Sequence, residues 1–242
     1  MEYEGTRYAG WQVQPGDAGQ VTLEATLVAA LSRLFNHPVQ VTASGRTDAG
    51  VHARQQVVNV FTTSRITPTQ VLRGGNSLLP DDMAITRVLE VSPDWNARRS
   101  AIRRTYRYCM LVGPARHPLQ RATAYHYRRG KLDLPAMQAA AQVLVGTHDF
   151  SAFRCVHCDA RNPVRHVFSC DLRQEGELLT LEISAWAFLR HMVRIIMGTL
   201  IRVGEGKLTA EEVRGILAGR DRGAAGPTAP ACGLILWEVQ YP

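Results

Sequence analysis

Two hydrophobic periods alternate along this chain, and their order limits the folds open to it. Leu23, Leu27, Leu31 and Leu34 recur at helical spacing, so residues 21–36 read as a helix that His37-Pro38 ends. Runs rich in β-branched residues at 39–43 and 56–62 read as strands. Thr67 is placed to cap a helix over 68–78 with Pro68 at its first position, although Gly74-Gly75 interrupts it. Residues 83–91 read as a strand and Ser92-Pro93-Asp94 as a turn.

A similar order follows. A long strand is expected over 101–112, a helix over 135–145, and a hairpin of 164–173 with 177–186 around Glu175-Gly176. A strongly apolar helix over 188–203 comes next, then a short surface helix over 209–217 with Thr209 and Glu212 as a capping box, and a closing strand over 233–241. Each half reads roughly as strand, helix, strand taken twice, the split βαβ pattern of ferredoxin-like units. The expectation is an α+β chain of two ferredoxin-like halves, 1–100 and 101–242. They would form one extended, mostly antiparallel sheet flanked by helices, with the active-site cleft between the halves.

Charge bears on function. The 28 Lys and Arg residues outnumber the 21 Asp and Glu residues, for a net charge of +7, and arginine supplies most of the positive side. Guanidinium groups match phosphate oxygens and stack on bases, so a nucleic-acid partner is one reading and a host bias toward arginine is the other. The five cysteines (Cys109, Cys155, Cys158, Cys170, Cys232) are odd in number in a chain of this size, which suggests reduced thiols rather than a disulfide framework. No apolar run approaches the ~20 residues of a membrane span, and Arg194 interrupts the longest one. The opening Met1-Glu2-Tyr3-Glu4 lacks the basic and apolar parts of a secretory signal, so a cytoplasmic protein is expected.

The segment Ser44-Gly45-Arg46-Thr47-Asp48-Ala49-Gly50-Val51-His52-Ala53 lies between two expected strands. Its glycines allow a tight loop that presents Asp48 outward. A cation two residues away, Arg46, favours the ionised carboxylate, and an ionised carboxylate is a competent covalent nucleophile. On the residues alone, a structural loop whose Arg46 and Asp48 satisfy each other is the commoner case.

This decapeptide closely resembles the signature of TruA-type tRNA pseudouridine synthases. Tyr3-Glu4-Gly5-Thr6 with Gly10-Trp11-Gln12 resembles that family's opening segment, and Arg104-Thr105-Tyr106-Arg107-Tyr108 and Gly146-Thr147-His148-Asp149-Phe150 recur in order. Phe188-Leu189-Arg190-His191-Met192-Val193-Arg194 and Ala229-Pro230-Ala231-Cys232-Gly233-Leu234 complete a similarity that covers essentially the whole chain. Gln55 stands where family members often have glycine, and the first strand begins abruptly at Met1, as if trimmed.

The resemblance implies that uridine is isomerised to pseudouridine in the anticodon stem-loop of tRNA, on its 3′ side (tRNA positions 38–40), with Asp48 as nucleophile and no cofactor or metal. It implies that Tyr106 lies over the flipped base, as platform or general base, that Arg194 meets the Asp48 carboxylate, and that Leu234 packs on the target base. Arg46 joins them as a substrate-binding residue. Each has a plainer reading: a core aromatic, an arginine that snorkels, a core leucine. His52 and His148 are expected in structural or RNA-contacting roles. Arg98, Arg99, Arg103, Arg104, Arg107, Arg128 and Arg129 are candidate phosphate contacts. The implied partners are the anticodon arm of tRNA and a second copy of the chain, with no membrane.

Three alternatives stay open. A non-catalytic RNA-binding or RNA-folding module would keep the basic surface without needing Asp48. A hydrolase would use the same carboxylate to release the base. Cys155, Cys158, His166 and Cys170 have spacing compatible with a tetrahedral zinc site, although His166 and Cys170 fall within one expected strand.

Overall fold

In a computed structural model, the structure describes residues 1–12, 19–156, 158 and 160–242. The chain forms two compact units, Met1–Ile102 with Leu236–Pro242, and Arg103–Ile235.

The first unit opens with strand β1 (Glu2–Tyr3) and helix α1 (Leu23–Phe35). The α1 N-terminus is capped by Thr22, whose hydroxyl accepts from the Ala25 N–H, and Asn36 ends it in the left-handed conformation one residue before His37-Pro38. Its apolar stripe of Leu23, Leu27, Ala30, Leu31 and Phe35 is buried, as the leucine period requires. Strands β2 (Val41–Ala43), β3 (His52–Ala53) and β4 (Val58–Val60) follow. Helix α2 (Pro68–Leu78) has the full Thr67/Gln70 capping box. It runs through Gly74-Gly75, where a side chain at 74 would meet Leu34 of α1 and one at 75 would meet Ile85, so the glycines permit close packing there.

Strand β5 is only Met83–Ala84, far shorter than the 83–91 expected. The Asn76 side chain explains the stop. It accepts from the Ile85 N–H at 2.7 Å and donates to the Ile85 carbonyl at 2.8 Å, taking the groups a ladder would use. Beyond it Leu89 and Val91 are exposed.

The second unit begins with β6 (Arg103–Val112) and β7 (Tyr125–Tyr127), then helix α3 (Leu134–Gln142) and β8 (Gly146–Asp149). The expected hairpin is β9 (Val164–Glu175) with β10 (Leu178–Ala185), turning at Gly176 with φ 59°. Helices α4 (Met192–Gly204) and α5 (Ala210–Gly219) follow, the latter with its Thr209/Glu212 capping box intact. The helix expected from 188 starts only at Met192. His191 sits at φ 64° and the Met192 N–H turns back to the Leu189 carbonyl, so 188–191 form a bend whose apolar residues pack in their own right.

Within this unit β6 pairs antiparallel with β10 and parallel with β7; β10, β9 and β8 continue antiparallel. Helix α4 is buried on nearly every side, as a helix that is apolar apart from Arg194, Thr199 and Arg202 must be. The last strand, β11 (Leu234–Gln240), carries the chain back into the first unit. There the order β5, β1, β3, β11 forms a sheet, and β2 pairs separately with β4. The protein is thus α+β, with mostly antiparallel strands and five α-helices among the described residues.

Candidate active site

The Asp48 loop joins β2 to β3 and has no ladder of its own, so its shape comes from other segments. The Ser44 N–H donates to Val57 O at 2.8 Å, the Trp11 N–H to Thr47 O at 3.0 Å, and the Gly50 N–H to Tyr8 O at 3.3 Å. Inside the loop the Val51 N–H returns to Asp48 O at 3.1 Å. Residues 3–11 therefore brace one side of it, which is the physical content of the opening motif. Gly10 has φ 97°, and a Cβ there would stand 2.9 Å from Thr47 O and 3.2 Å from the Asp48 carbonyl carbon. The result leaves Asp48 half-buried between buried Thr47 and exposed Ala49.

Buried His52 accepts the Gly5 N–H on Nδ1 at 3.0 Å, a structural role. Arg46 is exposed and acts electrostatically on Glu24 of α1. Burial pushes the Glu24 carboxyl up, while Arg46 and a hydrogen bond from Trp11 oppose that shift.

Sequence reading missed a second brace. Arg7 and Tyr8 both bind Asp82, Arg7 through Nε and Nη2 at 2.9 and 2.6 Å and the Tyr8 hydroxyl at 2.7 Å. Burial alone would raise the Asp82 pKa, but the Tyr8 and Arg7 hydrogen bonds outweigh it and hold the carboxyl below its ordinary value. No sequence pattern flags a pairing across some 75 residues.

In the second unit, Tyr106 is half-buried on β6 and meets Phe188 edge to face, centroids 5.0 Å apart at 84°. Phe188 lies in the bend before α4, and Arg194 in the first turn of that helix. Arg194 Nε donates to Ala229 O at 2.8 Å, and the Ala229 N–H donates back to Arg194 O at 3.0 Å. Tyr108, on the same face of β6 as Tyr106, is fully buried and donates to Pro230 O at 2.8 Å. Burial pushes the Tyr108 hydroxyl and the Cys232 thiol up, and the nearby Arg194 charge opposes both shifts. Leu234 is buried, directly after Gly233, which packs on the Tyr108 ring. The 226–230 segment is fixed to α4 further along: the Gly226 N–H donates to Thr199 Oγ1 at 2.9 Å, and any Cβ at Gly198 would strike Pro227 O.

The candidate phosphate contacts divide. Arg107 pairs with Glu182 at 2.6 Å, Arg104 donates to Trp186 O, and Arg103 lies over the Phe168 ring. Arg98, Arg99, Arg128 and Arg129 are exposed. Among the described residues no cluster of three or more His, Cys, Asp or Glu side chains is placed to hold a metal ion. His166 instead bonds Thr147 Oγ1 at 2.7 Å, and Cys170 is fully buried in β9.

A family model described as tRNA pseudouridine synthase matches residues 1–98 and 140–242. The chain is 45% identical over 242 residues to the tRNA pseudouridine synthase A of Pelobacter propionicus, covering 100% of this chain and 97% of that protein. The proteins of the same name from Geobacter sulfurreducens and Methylococcus capsulatus are 44% and 46% identical over 242 residues, with 97% and 88% of their lengths covered. The chain belongs to the tRNA pseudouridine synthase family. Membership accounts for the order of the motifs along the chain.

Proposed function

We propose that this chain isomerises uridine to pseudouridine in tRNA through nucleophilic attack by Asp48. The reaction class follows from the family: the chain is a tRNA-modifying isomerase. The observation that supports Asp48 for the attack is its setting. It is a half-buried carboxylate on a loop whose Ser44, Thr47 and Gly50 are tied by backbone hydrogen bonds to two other segments, Val57 and residues 8–11. Such restraint holds a reacting group in place before substrate arrives.

The chemistry balances without a redox partner. The bond from uracil N1 to ribose C1′ breaks, the base turns, and a bond forms from C5 to C1′. The proton on C5 leaves and N1 gains one. Asp48 carries the intermediate through attack on either the base or the sugar. Tyr106 is the ring against which the target base stacks, as platform or base. Arg46 and Arg194 are substrate-binding residues, and Leu234 packs on the base. No cofactor enters.

Exposed Arg98, Arg99, Arg128 and Arg129 are the candidates for phosphate contacts. Arg129 also lines a cavity of about 320 Å³ with Tyr125, Arg202 and Lys207. Extruding a paired uridine costs a few kcal/mol, which such contacts offset. The proposed substrate element is the 3′ side of the anticodon stem-loop, held by a cytoplasmic homodimer.

The test is product analysis. Unmodified tRNA is incubated with the protein, then digested to nucleosides. Pseudouridine confined to the anticodon arm is expected. Release of free uracil would favour the hydrolase, and tight binding without product would favour the non-catalytic module.

A further inference from the structure

Gln56 lies between β3 and β4 and is fully buried. A buried amide needs partners for both of its ends, and those partners fix which way it points. Oε1 accepts from the Ser44 hydroxyl at 2.7 Å and from the Val57 N–H at 3.2 Å. Nε2 donates to the Gly45 carbonyl at 2.8 Å, with the Tyr3 hydroxyl 3.5 Å away. The Tyr3 hydroxyl in turn bonds Thr47 Oγ1 at 2.8 Å. The backbone groups leave no ambiguity: the Val57 N–H can only donate and the Gly45 carbonyl can only accept, so the reversed amide would set donor against donor.

One side chain thus reaches the loop at residues 44 and 45, and at 47 through Tyr3. Asp48 is the next residue. Ser44, Thr47 and Tyr3 are themselves buried, so water does not compete for these bonds. We propose that Gln56 is a positioning residue for the nucleophile, its carboxamide holding the 44–47 backbone in the conformation that presents Asp48. The inference rests on Asp48 being the nucleophile. It differs from a plain stability role because the donations from Nε2, to Gly45 O and at longer range to the Tyr3 hydroxyl, need a donor at that side-chain position.

Gln56→Glu removes those donations. It keeps the acceptor for Ser44 and Val57, but as a carboxylate it faces the Gly45 carbonyl with no hydrogen. Protonated, it regains a donor. Burial raises the pKa of such a carboxyl, which brings the titration toward neutrality.

The experiment follows single-turnover release of tritium from uracil C5 of saturating tRNA, between about pH 6 and 8.5, for wild type, Gln56→Glu, Tyr3→Phe and Asp48→Asn. Binding of the same tRNA is measured in parallel. For Gln56→Glu the account expects a rate reduced ~10²-fold at the alkaline end, the scale of a ~1 Å displacement. That rate should recover as pH falls, relative to wild type, with tRNA affinity unchanged. A rate that tracks wild type at every pH would overturn the proposal, and so would a loss that pH does not relieve. Tyr3→Phe keeps the ring and serves if the glutamate variant fails to fold. It should lose about tenfold in rate, as expected for one neutral hydrogen bond, and an unchanged rate would overturn the role of this network. Activity in Asp48→Asn would defeat the nucleophile reading itself, whichever way the Gln56 variant behaves.

Discussion

The loop that carries Asp48 and the helix start that carries Arg194 are held in different ways. The loop has no ladder and little regular structure around it; β1, β3 and β5 are two residues each. It is fixed by backbone hydrogen bonds from residues distant in sequence and by a buried polar network. Arg194 stands on a helix buried on nearly every side, next to a sheet whose β6 and β10 share eight register pairs. Directional bonds set the first position and packing sets the second. Substitutions around the loop should therefore cost activity first, and substitutions around α4 should cost stability first.

Gly198→Ala tests the packed side and carries the largest stability effect. Alanine is ~1 kcal/mol better than glycine in a helix interior. Here its methyl group would strike Pro227 O, so unfolding in urea should show a loss of about 3 kcal/mol, the upper end of overpacking costs. A variant as stable as wild type would break the comparison. Gly10→Ala tests the loop side. With φ 97° and the Thr47 and Asp48 backbones against it, the substitution should lower the rate of pseudouridine formation ~10²-fold. The stability loss should exceed about 1 kcal/mol, because alanine is strained at a positive φ, yet stay below the loss at Gly198. Equal losses at both sites would remove the distinction.

Asp82→Asn sharpens it with the smallest effect. Asp82 holds Tyr8, whose carbonyl receives the Gly50 N–H. Its pKa is lowered in the folded state, so its contribution is present above the ordinary value of 3.8 and is lost as pH falls through the folded value. Wild type should exceed the variant in Tm by about 2–4 °C at neutral pH. The gap should close below about pH 4. A gap that is constant with pH would show that the carboxylate charge is not what matters.

Much of this was legible in the chain. The leucine period gave α1, Thr67 with Pro68 gave α2, Glu175-Gly176 gave the β9–β10 turn, and the Thr209/Glu212 box gave α5. Those signals are local. What failed depended on distant partners: Asn76 ends β5 early, and the left-handed His191 cuts four residues from an apolar run that reads as continuous. The two-residue strands are too short to show a period. The Asp48 loop stood out by its glycines and charge pair, but its supports, Gly10, Gln56 and Asp82, are polar or small residues whose roles appear only once the chain is folded. Arg46 stood out beside Asp48 by proximity in sequence, but its electrostatic effect on Glu24 of α1 has no local signal.

The most direct test of Asp48 as nucleophile uses tRNA tritiated at uracil C5, with wild type and Asp48→Asn measured side by side for binding and for tritium release. The account predicts equal binding, rapid release by wild type, and release slowed at least ~10³-fold by the variant, the scale of losing a nucleophile. Release by Asp48→Asn at a rate near that of wild type would contradict it.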